Sequence, residues 1–332
     1  MKDWRRYFSF LRSAWERMFR RSASSPSNGD ASADQNRTQS VRSGVPAQSV
    51  GTGSVRPVLL CAAVLVAIVA TAAAQRGMFG PRGGGRGGGR RERVERAGVP
   101  QWSNDEKFKQ DVFTFVRIRY TSYGEYGGGW GRWAIDHPDS DLNFSFRLHE
   151  LTALQVDPNG KVLELTDDEL FNYPFIYLIE PGWMTLSEPE VTALRQYLLN
   201  GGFLMVDDFW GEYEWANFYR EIKRVFPDRE PLELPLEHEI FHCVYDLKKK
   251  PQIPSIGWVW HRRTDDGRPD APEPHYRGIF DDKGRMMAII CHNTDLGDGW
   301  EREGESHEYF KEFSEKWSYP LGINIVTYAM TH

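Results

Sequence analysis

Cysteine is scarce in this chain, with three in 332 residues. Cys61 lies in an apolar run and lacks the small residue that a lipoprotein signal needs just before its cysteine, which excludes a lipid anchor of that kind. The other two, Cys243 and Cys291, are either buried thiols or the partners of one disulfide formed in an oxidising compartment.

A phosphate-binding loop is also missing. The segment GEYGGGWG at residues 124–131 follows a predicted strand, but it has neither the G-x-G-x-x-G spacing into a helix nor the lysine of a P-loop. We therefore expect no nucleotide ligand. The chain contains no internal repeat, which excludes solenoid folds.

The C-terminal two-thirds of the chain lack any surplus of positive charge. Residues 1–100 hold 17 Lys or Arg and 6 Asp or Glu, so the remaining 24 basic and 41 acidic residues give residues 101–332 a net charge of −17. A part of this size can bury the core of a single domain. Because its charge would repel a phosphate backbone, we expect no nucleic-acid partner.

One long apolar run is present. Residues 58–74, VLLCAAVLVAIVATAAA, are uncharged, and the small residues before Gln75 suit a signal peptidase. We therefore predict that residues 57–75 form a signal peptide or a transmembrane helix, and that the protein is exported, periplasmic or outward-facing, with a membrane anchor if the segment is retained.

The apolar run divides the chain into four predicted parts. Residues 1–56 form a disordered basic leader, unless translation starts near Val50 or Val55 and makes the leader short. Residues 76–110 are rich in Gly and Arg and predict a flexible cationic linker. Residues 111–332 are the globular α/β domain.

Strand and helix patterns alternate through the globular part. VFTFVRIRY at residues 112–120 predicts a central strand, and FIYLI and FLMV predict two more buried strands. Between them, Ser187 and Glu190 have capping-box spacing, and Gly201 can end the helix. Residues 278–292 predict a hairpin. This order predicts a three-layer α/β fold with a mainly parallel sheet and helices on both faces.

Acidic residues follow two of the predicted strands. Glu180 ends FIYLI, and Asp207 with Asp208 ends FLMV, so all three fall at the carboxyl edge of the sheet. Carboxylates there can hold a divalent metal or act as a general base. Asp208 alternatively caps the next helix, or pairs with Arg117 or Arg119 at the end of the first strand.

A second polar cluster lies in NTDLGDGWE. Asn293 and Asp295 offer oxygen ligands, and Trp300 lies beside them; a solvated Gly-Asp turn explains the same run. With Arg119 and Glu180 they form the candidate ligand-binding set. Several tryptophans fall in predicted loops next to Gly or acidic residues, where they either stack on sugar rings and partner proteins or pack in the core. These are Trp130, Trp133, Trp183, Trp210 and Trp300.

Residues 238–242, HEIFH, satisfy the zinc-protease pattern H-E-x-x-H. That pattern needs an α-helix to place both imidazoles on one face, whereas here it lies between a proline-containing segment and a strand-like run. We therefore expect no zinc-protease site and keep His242 as a candidate partner of Asp207 and Asp208.

Five segments carry a resemblance to a known family. The 32 residues at 180–211, together with FVRIRY, HEIFH, NTDLGDGWE and LGINIVTYAMTH, resemble the bacterial domain-of-unknown-function family 4159 over about residues 112–332. The resemblance implies a class I glutamine amidotransferase-like, flavodoxin-type fold and an exported or membrane-anchored setting, with no established activity. Amidotransferases of that superfamily use a Cys on a strand-to-helix elbow; this chain has Glu180 and Asp208 after those strands, so that chemistry is not expected.

Two functions are consistent with these features. The first is a ligand-binding or interaction module of the cell envelope, with an envelope protein or a glycan as its partner. The second is a metal-assisted hydrolase acting through Asp207, Asp208 and His242. No cofactor is predicted other than a divalent metal.

Overall fold

The computed structural model describes residues 98–108, 111–123 and 131–332. The predicted leader, the apolar segment 57–75, most of the linker and Trp130 lie outside these residues. Among the described residues, no helix combines the length and apolar character needed to cross a bilayer.

A seven-stranded mixed sheet forms the centre of the domain, in the order β3-β1-β4-β6-β9-β8-β7. The first five strands in this order are parallel, and β4 and β6 align Ile179 with Asp207, so their carboxyl ends are level. Two short strands, β2 and β5, pair separately. The strands are β1 (Val116–Arg119), β2 (Thr121–Ser122), β3 (Lys161–Glu164), β4 (Phe175–Ile179), β5 (Met184–Thr185), β6 (Phe203–Asp207), β7 (Leu232–Glu233), β8 (His275–Phe280) and β9 (Met286–His292).

Helices cover both faces of this sheet, as predicted. Along β6, Phe203 and Met205 face one layer while Leu204 and Val206 face the other, because successive side chains of a strand alternate. The helices are α1 (Asp139–Leu151), α2 (Glu188–Leu199), α3 (Gly211–Val225), α4 (Trp258–His261), α5 (Leu296–Glu301), α6 (His307–Tyr309) and α7 (Tyr319–Thr331), with a π-helical stretch Phe310–Ser318 between the last two. Helices α1, α5 and α7 pack on the first face, and α2 and α3 on the second.

The antiparallel edge confirms the predicted hairpin. Strands β8 and β9 pair antiparallel through a turn in which the amide of Gly284 donates to the carbonyl of Asp281 at 3.0 Å. Because β9 also pairs with β6 in parallel, the hairpin is part of the main sheet.

The predicted capping box of α2 is confirmed. Ser187 and Glu190 form both hydrogen bonds of a capping box at the start of α2, and Gly201 follows this helix with φ of 112°. At the start of α1, the N-cap is Pro138, which makes no side-chain hydrogen bond.

The disulfide alternative is wrong. Cys291 is buried and Cys243 is half-buried, and both are free thiols. Cys243 donates a hydrogen bond to the carbonyl oxygen of Asn324 at 3.2 Å, and burial raises its pKa to about 12. Both are therefore packing residues with low thiolate character.

Candidate metal centre

Three neighbouring parallel strands end on residues with left-handed backbone. Glu180 after β4, Asp208 after β6 and Asn293 after β9 have φ of 47°, 55° and 60°. Asp136, in the loop before α1, has φ of 63°. Non-glycine residues rarely adopt this conformation, and such residues cluster at functional sites.

Three of the carboxylates at this edge meet. Asp136, Asp208 and Asp295 each place one oxygen so that the three atoms lie within 4.8 Å of one another. Asp208 and Asp295 are buried, whereas Asp136 is half-buried. The three carboxylates are therefore largely removed from solvent.

Few hydrogen-bond donors serve this carboxylate triad. One oxygen of Asp208 accepts from the indole nitrogen of Trp210 at 2.9 Å, and one oxygen of Asp295 accepts from the amide of Asp298 at 2.6 Å. Oδ2 of Asp136 is buried and has no hydrogen-bond partner among the described residues. Among the described residues, the triad therefore contains one buried oxygen, Oδ2 of Asp136, without the donor that normally satisfies a buried carboxylate.

The two guanidinium groups that act electrostatically on Asp136 are committed to other carboxylates. Arg117 is fully buried and binds both oxygens of Asp141, and Arg302 binds Asp298. Burial, followed by the charges of neighbouring carboxylates, raises the pKa of Asp136 and Asp208 well above the ordinary range. Close carboxylates of this kind cannot all ionise unless a cation joins them.

Asp207 lies next to the triad without belonging to it. Its Oδ2 accepts from the hydroxyl of Tyr177 and from the amide of Gly297, each at 3.0 Å, while Oδ1 is buried without a hydrogen-bond partner in the described part of the chain. Burial raises the pKa of Asp207 to about 7. Of the two predicted metal ligands, only Asp208 is in the triad.

A second carboxylate group shares Asp136 and adds Asp298 and Glu301, again within 4.8 Å. Arg302 pairs with both additions, with Nε 2.9 Å from Asp298 and Nη2 2.7 Å from Glu301. Arg302 offsets part of the negative charge of this second group, so the triad is the better candidate for a cation.

Both structural explanations offered for Asp208 are wrong. Arg117 pairs with Asp141, and Arg119 forms an exposed ion pair with Glu164 at 2.7 Å. Asp208 does not cap α3, because the backbone amides of the N-cap residue and of the first two helical residues donate to other side chains. The acceptors are Glu214 for Trp210, Asn293 for Gly211 and Asp270 for Glu212.

The remaining ligand candidates are divided between the rim and the core. Glu180 accepts from Arg132 at 2.6 Å at the rim, and burial raises its pKa. Asn293 uses both ends of its amide to hold backbone groups of Gly211 and Glu273. Trp300 is fully buried, with its ring centroid 4.2 Å from that of Phe144, so its ring packs in the core.

His242 is not brought to the strand edge. Its Nδ1 lies 2.7 Å from Asp246 and its Nε2 lies 2.7 Å from the carbonyl of Leu236, so both nitrogens have partners in another loop. Within HEIFH, Glu239–Phe241 form one turn of 3-10 helix. This confirms that the motif lacks the α-helix of a zinc protease.

The sequence did not reveal Asp136. No periodic pattern or motif surrounds this residue in the sequence. Its carboxylate packs against Gly297, where an added Cβ would lie 2.5 Å from Oδ2 of Asp136, so its position depends on the glycine. The only local signal is its place just before His137 and Pro138, in the connection that leads from β1 towards α1.

Comparison with known proteins places the domain in a family. A search of curated proteins found no match. Residues 114–330, well over half of the chain, match the family described as "Domain of unknown function (DUF4159)". This match confirms the resemblance of the five sequence segments, and the chain belongs to that family.

Proposed function

We propose that this domain binds a divalent cation at Asp136, Asp208 and Asp295 and uses it to hold a ligand at the carboxyl edge of the sheet. The observation that supports this proposal is the triad itself: three carboxylate oxygens within 4.8 Å, two of them on buried residues. A divalent cation would remove their mutual repulsion.

The donor set indicates which ion suits the site. All three ligands are carboxylate oxygens, which suit hard cations such as Ca²⁺, Mg²⁺ and Mn²⁺ better than the nitrogen- and sulfur-preferring Zn²⁺. Three protein ligands leave coordination positions for oxygens of a ligand.

The strand order and the position of the triad together support a flavodoxin-type, class I glutamine amidotransferase-like fold. Numbered in chain order, the five parallel strands have the order 2-1-3-4-5, and folds of this order bind ligands outside the carboxyl ends of their strands. The residues after β4 and β6 are Glu180 and Asp208, so we propose binding without amidotransferase chemistry.

Cation binding can be tested with the full-length chain. We expect Ca²⁺, Mg²⁺ or Mn²⁺ to raise the melting temperature of the wild type, and Asp208→Asn to abolish the increase. At a free concentration of about one hundred times its dissociation constant, a cation would add about 2.7 kcal/mol to the free energy of unfolding. Asp246→Asn, on a surface loop, is the control and should respond like the wild type. A melting temperature that no divalent ion changes would contradict the proposal.

A second candidate function is metal-assisted hydrolysis. It is favoured by Asp207, which is adjacent to Asp208. Its Oδ1 has no hydrogen-bond partner among the described residues and could accept a proton from a cation-bound water. His242 has no part in this version. Turnover of a hydrolysable substrate that is lost in Asp207→Asn, with cation binding retained, would favour the hydrolase over the binding module.

The envelope setting is a further part of the proposal. It depends on the apolar segment 57–75, which would export or anchor the domain. Fractionation of cells that express the full-length chain tests it: recovery of the domain in the cytoplasm would contradict an envelope role.

A further inference from the structure

Three aromatic side chains meet at the rim of the candidate metal centre. Tyr123 follows β2, Trp183 lies in the 3-10 turn after β4, and Tyr213 lies in the first turns of α3. The ring centroid of Trp183 lies 5.5 Å from that of Tyr123 and 5.6 Å from that of Tyr213. Tyr213 is 60% exposed and Tyr123 is 38% exposed. We call this group the aromatic platform.

Hydrogen bonds hold the aromatic platform in place. The hydroxyl of Tyr123 donates to Oδ1 of Asn217 at 3.2 Å, and Nδ2 of Asn217 donates to the carbonyls of Pro181 and Met184 at 3.2 and 3.0 Å. The amide of Tyr123 donates to the carbonyl of Trp183 at 3.1 Å. A rigid surface loses little conformational entropy when a ligand binds.

Close packing brings the turn that carries Trp183 against α3. A Cβ added to Gly182 would lie 2.5 Å from the Cβ of Glu214, so only glycine allows this approach. Exposed aromatic clusters on a soluble domain mark interaction sites more often than single exposed rings do. The buried rings of Trp210 and Trp300 show that the same chain can bury aromatic residues completely when they serve packing.

Arg132 joins the platform to the candidate metal centre. Its guanidinium lies 5.1 Å from the ring centroid of Trp183 and donates to Glu180 at 2.6 Å. Glu180 is the left-handed residue at the end of β4, and its charge acts directly on Asp208. The platform and the triad therefore lie at the same edge of the sheet.

We propose that the ligand of the cation site is a neutral sugar chain, one ring of which packs on the aromatic platform. The inference rests on the proposed cation function. The C–H face of a sugar ring packs on aromatic side chains, and neighbouring hydroxyls supply the oxygen ligands that a hard cation needs. The net charge of −17 on residues 101–332 disfavours a polyanionic chain and leaves a neutral one.

A proline-rich peptide is the competing ligand, because such peptides also dock on Tyr and Trp rings. It has no paired hydroxyls with which to complete the coordination of a cation. The position of the platform beside an all-oxygen triad therefore favours a sugar.

Binding of maltohexaose, cellohexaose and chitohexaose to the full-length chain tests the inference by calorimetry, with and without Ca²⁺. We expect at least one oligosaccharide to bind in a Ca²⁺-dependent way, and Tyr213→Ala and Trp183→Ala to bind it about tenfold more weakly. Trp260→Ala is the matched control, because Trp260 is 77% exposed on α4, outside the platform, and should bind like the wild type. The increase in melting temperature caused by Ca²⁺ should persist in Tyr213→Ala.

The outcomes separate this inference from the cation proposal. A Ca²⁺-dependent increase in melting temperature without binding of any of the three oligosaccharides would overturn the sugar inference alone. Oligosaccharide binding that is equal in wild type and Tyr213→Ala would also overturn it. If a proline-rich peptide binds without Ca²⁺ and loses affinity in Tyr213→Ala, the platform is a peptide site. Failure of every divalent ion to change the melting temperature would overturn the cation proposal.

Discussion

A buried imidazole at the end of β9 should make the stability of this domain depend on pH. Nε2 of His292 lies 3.1 Å from the carbonyl oxygen of Gly211, and Nδ1 lies 3.2 Å from a guanidinium nitrogen of Arg277. A carbonyl oxygen only accepts hydrogen bonds and a guanidinium only donates them, so Nε2 carries the proton and Nδ1 is unprotonated. Burial, and then the charges of Arg277 and His275, lower the pKa of His292 to about 3, although the Gly211 carbonyl opposes this.

The size of the effect follows from the two pKa values. The unfolded chain takes up a proton at the ordinary value of 6.5, whereas folded His292 stays neutral down to about pH 3. As the pH falls below 6.5, protonation therefore favours the unfolded state. Between about pH 7.5 and about pH 5, the free energy of unfolding should decrease by about 2 kcal/mol because of this side chain alone.

Denaturant unfolding of wild type and His292→Gln at these two pH values measures the effect. We expect the difference in unfolding free energy between the two proteins to change by about 2 kcal/mol, because all other titrating groups are shared. His242→Gln is the control: hydrogen bonds to Asp246 and Leu236 raise the pKa of His242, so its contribution to stability has the opposite sign. The same pH dependence in wild type and His292→Gln would refute the reasoning.

Three further predictions concern the triad, a buried ion pair and a helix cap. Gly297→Ala should weaken cation binding about tenfold in calorimetry, because the added Cβ would displace the carboxylate of Asp136. Arg117→Met should lower the free energy of unfolding by about 3–5 kcal/mol in denaturant titration, because it leaves Asp141 buried without its cation. Ser187→Ala should lower it by about 1 kcal/mol through loss of the capping box and leave cation binding unchanged.

The features that the sequence predicts well are those determined by neighbours along the chain. The capping box of Ser187 and Glu190 depends only on two residues three positions apart. The strands FIYLI and FLMV can be recognised as continuous apolar runs, because helices cover both faces of the sheet. Helix α1 has no such local signal, since its N-cap Pro138 makes no side-chain hydrogen bond.

The candidate site could be predicted only in part. Asp208 was predicted as a metal ligand because it follows a buried strand, whereas Asp295 was assigned to a separate polar cluster. The two meet because β6 and β9 are parallel neighbours, so their carboxyl ends lie at one edge. Asp136 reaches them through a left-handed backbone and the absence of a side chain at Gly297, both of which depend on residues far apart in the chain. His242 was grouped with the carboxylates from residue type alone, and its loop folds elsewhere.

The pairing of β6 with β9 has a consequence for how the domain forms during synthesis. Leu204 pairs with Ala288 and Val206 with Ile290, so one edge of β6 stays without its partner until more than eighty further residues have been made. Its apolar side chains and free backbone groups are exposed to other chains during that time, and contacts so distant in sequence form slowly. Nascent chains that end before β9 should therefore be the species most prone to aggregate and most in need of a chaperone.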